Sequence, residues 1–142
     1  MANFEGKTVI VTGGGGGIGG ATSKRFAADG AKVAVFDMNV EAAQKVVDEI
    51  KAAGGVAQAF KCNITDRAEV DAAVAAAEAA LGPIAVLAHN AGGVAFEPVT
   101  KAVPAQGDKL IAINLTGALH MLHAVLPGMA ERKYGRIVNI AS

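Results

Sequence analysis

Apolar residues along the chain switch between two spacings, and each switch marks an element boundary. Short runs rich in β-branched residues at 7–12, 32–36, 56–62, 84–88 and 136–140 predict five strands. They mostly lack apolar–polar alternation, as strands of a parallel sheet covered on both faces do. Helical spacing fills the intervals between them. Residues 18–29 read as a helix closed by Gly30, and from Val40 the positions Ala43, Val46, Val47 and Ile50 recur at helical spacing until Gly54 and Gly55. A third helix puts Val70, Val74, Ala77 and Leu81 on one face, with Thr65 as its expected N-cap and Gly82-Pro83 as its stop. Residues 94–107 contain Pro98, Pro104 and Gly107 and read as a loop or broken helix, followed by a long helix over 109–131. That helix is apolar nearly all round, through Leu110, Ile111, Ile113, Leu115, Leu119, Met121, Leu122, Val125 and Leu126. One sheet face cannot cover so much, so the pattern predicts a second partner surface for it.

Strand and helix alternate over all 142 residues, a length that supports a single domain, 1–142, of the α/β class. Charge narrows the function. Thirteen Lys and Arg balance thirteen Asp and Glu, leaving no electrostatic footprint for nucleic acid or an anionic membrane surface. The single cysteine, Cys62, excludes an internal disulfide and a Cys-based zinc cluster, and it reads as a small buried hydrophobe. The N-terminal stretch lacks a signal pattern, and Asn114, Thr116, His120, His123 and Pro127 interrupt the apolar stretch 110–129. A cytoplasmic location is expected. His120 and His123 stand three apart with no third ligand at matching spacing, so no metal site is expected.

The chemistry sits between the first strand and the first helix. Gly13 to Gly17 run in succession and Gly19 and Gly20 follow, so Gly14, Gly16 and Gly19 satisfy G-x-G-x-x-G in the strand–turn–helix setting that the motif requires. Glycines let the backbone approach a pyrophosphate, and the N–H groups and dipole of a helix start favour its negative charge. No Lys-Ser or Lys-Thr follows, which disfavours a P-loop. Asp37 closes the second strand eighteen positions after Gly19, where a carboxylate can accept from both hydroxyls of an adenosine ribose and repel a 2′-phosphate. The expected cofactor is therefore NAD in preference to NADP.

The segment Thr12-Gly13-Gly14-Gly15-Gly16-Gly17-Ile18-Gly19 resembles the T-G-x-x-x-G-I-G fingerprint of the short-chain dehydrogenase/reductase family. Asn90-Ala91-Gly92 is similar to its N-A-G element. Asn114 stands where the family has its tetrad Asn, and Ser142, ending I-V-N-I-A-S, where it has its catalytic Ser. The resemblance implies a three-layer αβα Rossmann fold with a doubly wound parallel sheet of order 3-2-1-4-5 and the nucleotide near the switch between strands one and four. It implies a cofactor site from Thr12, Gly13, Gly15, Gly16, Gly17, Ile18, Gly19, Asp37, Asn63, Ile64, Asn90, Ala91 and Gly92. Ser142 is implied to hydrogen-bond the substrate oxygen and Asn114 to support a water. Hydride transfer between a secondary alcohol or ketone and a nicotinamide is the implied reaction. The phrases GALHM, AVLPGM and GRIVNIAS most resemble members acting on a hydroxyacyl-CoA, which adds a CoA thioester to the implied substrates.

The family's Tyr-x-x-x-Lys pair lies beyond Ser142, so the 142-residue chain is expected to be inactive unaided. Tyr134, upstream of Ser142 with Val138 four positions later, reads as a turn residue. Two departures stand out. The family usually has Asp at the place of Asn63, receiving the adenine amino group, and Asn at the place of His89; His89 is expected to be a packed, hydrogen-bonded residue. An uncovered apolar edge at 137–140 implies aggregation or a partner there, and the long helix implies self-association into a homo-oligomer. A dinucleotide-binding module without catalysis and a fold-complementing fragment are the alternative readings.

Overall fold

The computed structural model describes residues 4–141. Five parallel strands, β1 (Thr8–Thr12), β2 (Lys32–Asp37), β3 (Val56–Lys61), β4 (Ile84–His89) and β5 (Arg136–Asn139), form one sheet in the order β3-β2-β1-β4-β5. Helices α1 (Gly17–Ala28) and α2 (Val40–Ala52) cross over one face. On the other face lie α3 (Arg67–Leu81) and a long helix built from α4 (Pro104–Ile111), a π-helical turn (Ala112–Thr116) and α5 (Gly117–Glu131). The expected three-layer, doubly wound sheet is what the chain forms.

Residue alternation splits the sheet between two cores. Ile10, Ala34, Phe36 and Leu87 pack under Val70, Val74 and Ala77 of α3 and Met121, Val125 and Met129 of α5. Val9, Val11, Val33 and Val35 pack under Ala27, Ala43, Val46, Val47 and Ile50. Strands buried on both faces bear apolar side chains on both, which explains the missing alternation.

Three helix starts decide where loops can lie. Asn39 caps α2 by accepting from Ala42 N. The cap of α3 is Asp66 and not Thr65: the Asp66 carboxylate accepts from Ala68 N and Glu69 N, while the Thr65 hydroxyl donates to Asn63 Oδ1. Of two adjacent candidates, the charged oxygen takes the helix dipole and the hydroxyl serves the preceding turn. The long helix starts at Pro104 and not Lys109, because proline at the first helical position has no N–H to lose and a φ already set. Its packing on the sheet uses Gly117, Met121, Val125 and Met129, leaving Ile111, Leu115, Leu119 and Leu126 exposed. Pro104–Glu131 is also long and apolar enough to cross a membrane by length and composition. Its seat on the sheet accounts for one face of it.

Candidate nucleotide site

The glycine run divides into two parts with different tasks. Gly13 takes φ +62°, a left-handed turn that redirects the chain off β1. Gly14 N then donates to Phe36 O, Gly15 N to Asp37 Oδ2 and Gly16 N to Gly13 O, so these amides fold the loop itself. A Cβ on Gly14 would meet Val35 Cγ1 at 2.7 Å and one on Gly15 would meet Ala43 N at 2.8 Å; one on Gly19 would run into Gly13 O. Neighbouring backbone and side chains therefore demand glycine at these positions.

Gly16 and Gly17 differ. Gly17 has nothing within 4 Å of an added Cβ, and Gly16 only Gly13 O at 3.5 Å. Gly16 is the N-cap of α1, with no side-chain cap and no acidic residue in the first turn. The amides of Gly17, Ile18 and Gly19 thus stand at a helix start without side-chain caps, where the dipole favours an anion. The sequence reading spread the phosphate contact over the whole run. In the structure Gly14, Gly15 and Gly16 spend their N–H groups internally, and the open amides begin at Gly17.

A cavity of about 330 Å³ lies beside this loop at the carboxyl ends of the strands. Asp37, Asn63, Ile64, Asn90, Ala91 and Gly92 line it together with Gly13 and Gly16, so most of the expected cofactor set converges there. Asp37 accepts from Gly15 N on Oδ2 at 3.0 Å and from Asn39 N on Oδ1 at 2.9 Å. These bonds fix the carboxylate next to the glycine loop and leave each oxygen one further acceptor position. Asn63 is more fully engaged than expected. Its Oδ1 accepts from Thr65 N at 3.1 Å and Thr65 Oγ1 at 2.8 Å, which fills the oxygen that the adenine amino group was expected to use.

The opposite wall is tied to β1 by Thr12, whose Oγ1 accepts from Asn90 N and Ala91 N, each at 3.0 Å. The same oxygen lies 2.9 Å from Nδ1 of the buried His89, the packed and hydrogen-bonded residue expected from the sequence. Burial pushes the His89 imidazole below its ordinary pKa. Asn114 sits in the π-helical turn and clasps Gly93, donating to Gly93 O at 2.8 Å and accepting from Gly93 N at 2.9 Å. Its amide thereby holds the end of the Asn90-Ala91-Gly92 wall. Ser142 lies outside the described residues.

Six described residues outside the expected set contribute. Phe36, Met38, Ile113, Cys62 and Thr65 line the cavity, and His120 donates from Nδ1 to Ile64 O at 2.9 Å beside it. Met38 follows Asp37 and is 65% exposed, an apolar residue left in solvent beside a carboxylate; that adjacency was a readable signal. Cys62 is buried and free, and burial, with Glu69 and Asp66 nearby, pushes its thiol up to about 12. Two larger hollows, of about 580 and 500 Å³, lie around the far end of α1. Lys24–Glu49 and Arg25–Asp29 pair across them, and Glu5 also lines the larger one.

The short chain dehydrogenase family pattern matches residues 7–142. A 2,5-dichloro-2,5-cyclohexadiene-1,4-diol dehydrogenase of Sphingobium indicum is 38% identical over 143 residues, covering 100% of this chain and 57% of its own. Acetoacetyl-CoA reductase of Paracoccus denitrificans is 41% identical over 137 residues, covering 96% and 54%. An NAD+-bound xylitol dehydrogenase superposes with a TM-score of 0.95 at 39% identity, covering 99% of this chain and 55% of that one. Hydroxysteroid dehydrogenase from Escherichia coli gives 0.93 at 37%, covering 99% and 59%. The chain spans a little over half the length of these relatives. A family pattern that runs through the glycine loop, the crevice and the strand beyond it leaves one conclusion, that this chain belongs to the short chain dehydrogenase family.

Proposed function

We propose that the protein carrying this chain is an NAD-dependent oxidoreductase of secondary alcohols and ketones, and that these residues form its cofactor-binding part. The observation that carries the reading is the start of α1, with no side-chain cap, room for an anion at Gly17 and the Asp37 carboxylate fixed beside it. A dinucleotide has matching parts: a pyrophosphate for the amides of Gly17, Ile18 and Gly19, and a ribose diol for the free acceptor positions of Asp37. Met38 and Ile64 offer apolar surface to the base, and Asn90, Ala91 and Gly92 form the wall on the nicotinamide side. The bound nicotinamide supplies the hydride acceptor or donor.

Asn114 and Ser142 carry the remaining roles that the family resemblance implies, Ser142 toward the substrate oxygen and Asn114 in keeping the wall and its water in place. The names of the relatives, among them a cyclohexadiene-diol dehydrogenase and an acetoacetyl-CoA reductase, support a small alcohol or ketone as substrate, with a CoA thioester as one candidate. The exposed stripe Ile111, Leu115, Leu119 and Leu126 supports self-association through the long helix. The buried free thiol of Cys62 agrees with a reducing, cytoplasmic setting.

Isothermal calorimetry of Asp37→Ala tests the cofactor assignment. Loss of one charge-assisted contact is expected to weaken NAD by about tenfold to a hundredfold while leaving NADP unchanged or tighter. Equal affinities of parent and variant for NAD would remove Asp37 from the site.

A further inference from the structure

Hydrogen-bond accounting at the Thr12 hydroxyl decides more than the tie between β1 and the opposite wall. A hydroxyl has one hydrogen to give and two lone pairs to accept with. Asn90 N and Ala91 N occupy both lone pairs, so the hydrogen goes to His89 Nδ1. His89 Nδ1 must then be the acceptor. The imidazole is neutral, with its own hydrogen on Nε2, which has no protein partner among the described residues. Bonds fixed by backbone N–H groups, whose direction cannot reverse, settle the tautomer.

We propose that His89 is a positioning residue that latches the Thr12 hydroxyl, so that protonation of His89 at Nδ1 opens the Asn90–Gly92 wall and releases the dinucleotide. This inference rests on the cofactor reading above. A proton on Nδ1 would face the Thr12 hydrogen. The hydroxyl would have to turn and give a lone pair to the imidazolium, breaking its bond to Asn90 N or Ala91 N. Gly13 packs at the same place, where an added Cβ would lie 3.1 Å from Ala91 Cα and 3.2 Å from Asn90 Nδ2, so the glycine turn feels the same displacement.

Among the described residues no charge near the ring compensates an imidazolium. β1 carries no titratable side chain, and on β5 Arg136 pairs in register with Val86, at the far end of that pairing from His89. On α3, Glu69 holds Asn63 N, Glu78 holds Ile84 N, and Arg67 pairs with Asp71; on α5, His120 is bound to Ile64 O. Burial alone accounts for the lowered proton affinity of His89. Unprotonated His89 is the form that the folded site needs, so affinity for NAD is full at neutral pH and falls as pH drops through the depressed pKa.

The test is NAD binding by fluorescence titration between about pH 5 and 8 on the protein that carries this chain. The parent is expected to lose affinity on the acid side by up to about tenfold per pH unit, the limit for one proton. His89→Asn supplies an acceptor oxygen that does not titrate and is expected to bind within about twofold of the parent at neutral pH, with the acid limb gone. His89→Ala should bind more weakly at every pH. An identical acid limb in parent and His89→Asn would overturn the proposal. Nitrogen-15 imidazole shifts of the ligand-free parent need no variant: the Nε2–H tautomer is expected, and the Nδ1–H tautomer would equally overturn it. A folded parent that binds no NAD at any pH would defeat the cofactor reading instead, and the tautomer measurement would still decide the latch.

Discussion

β1 and β5 flank the same strand, β4, and both pair with it in parallel, yet their surroundings differ sharply. All five residues of β1 are buried, and the chain leaves it through a turn in which added Cβ atoms would strike backbone or side chains. β5 lies at the sheet edge, with three of its four residues exposed. Val138 and Ile140 stand in solvent there, and the stripe of Ile111, Leu115, Leu119 and Leu126 adds apolar surface on the long helix nearby in sequence. Around β1, close contacts fix where the backbone runs. Around β5, Val138 and Ile140 are half exposed among the described residues, so substitutions there should cost this part of the fold less than substitutions in β1.

The sharpest test of that contrast lies within the glycine loop. Gly19→Ala drives a Cβ into Gly13 O and is expected to destabilise the fold by about 3 kcal/mol or more and to abolish NAD binding. Gly17→Ala meets open space at the first position of α1, so thermal melting should hold or rise by about 0.5 kcal/mol. Weakened NAD binding in that well-folded variant would isolate the ligand's need for glycine from the fold's need. Equal losses in both variants would erase the division drawn within the run.

Next comes the long helix. Met121→Ala empties a fully buried position and should cost about 2–5 kcal/mol in denaturant unfolding. Leu119, two residues earlier, points the other way. Leu119→Lys should leave the stability of the monomer within about 0.5 kcal/mol while shifting sedimentation toward smaller species. A large loss of monomer stability would mean that the stripe belongs to the core. A chemical probe of the same burial concerns Cys62. With its thiol near 12 against an ordinary 9.0, alkylation at neutral pH should run about a thousandfold slower than for a free thiol and accelerate only as pH approaches that value. Rapid labelling of the native protein would contradict its burial.

Much of this architecture could be read along the chain, because strand, glycine turn and helix are local signals. Val9, Val11, Val33 and Val35 announce a doubly covered sheet without any knowledge of their partners, and Asp37 marks the end of β2. What escaped reading depends on competition or on distance. Pro104 looks like a breaker until the residues after it are seen to be helical. Thr65 and Asp66 are both good caps, and the charged Asp66 oxygen took the helix start while the Thr65 hydroxyl bonded Asn63. The partnership of Thr12 with His89 joins residues 77 positions apart. No local pattern shows that one hydroxyl is shared between an imidazole and two backbone amides.

The π-helical turn has a consequence beyond holding Asn114. Gly117 N donates to Ala112 O, so one residue more than the α-helix requires is wound into this turn. A π-turn rotates each residue by less than the roughly 100° of an α-helix, so the extra residue is absorbed in the turn without changing the phase of the segments on either side. α5 keeps its seat on the sheet through Met121, Val125 and Met129, while the widened turn presents Asn114 to Gly93. Removing one residue between 112 and 116 would therefore let the turn close as ordinary α-helix with α4 and α5 near their present phases. The loss would fall on the turn itself, where Asn114 would leave its partner.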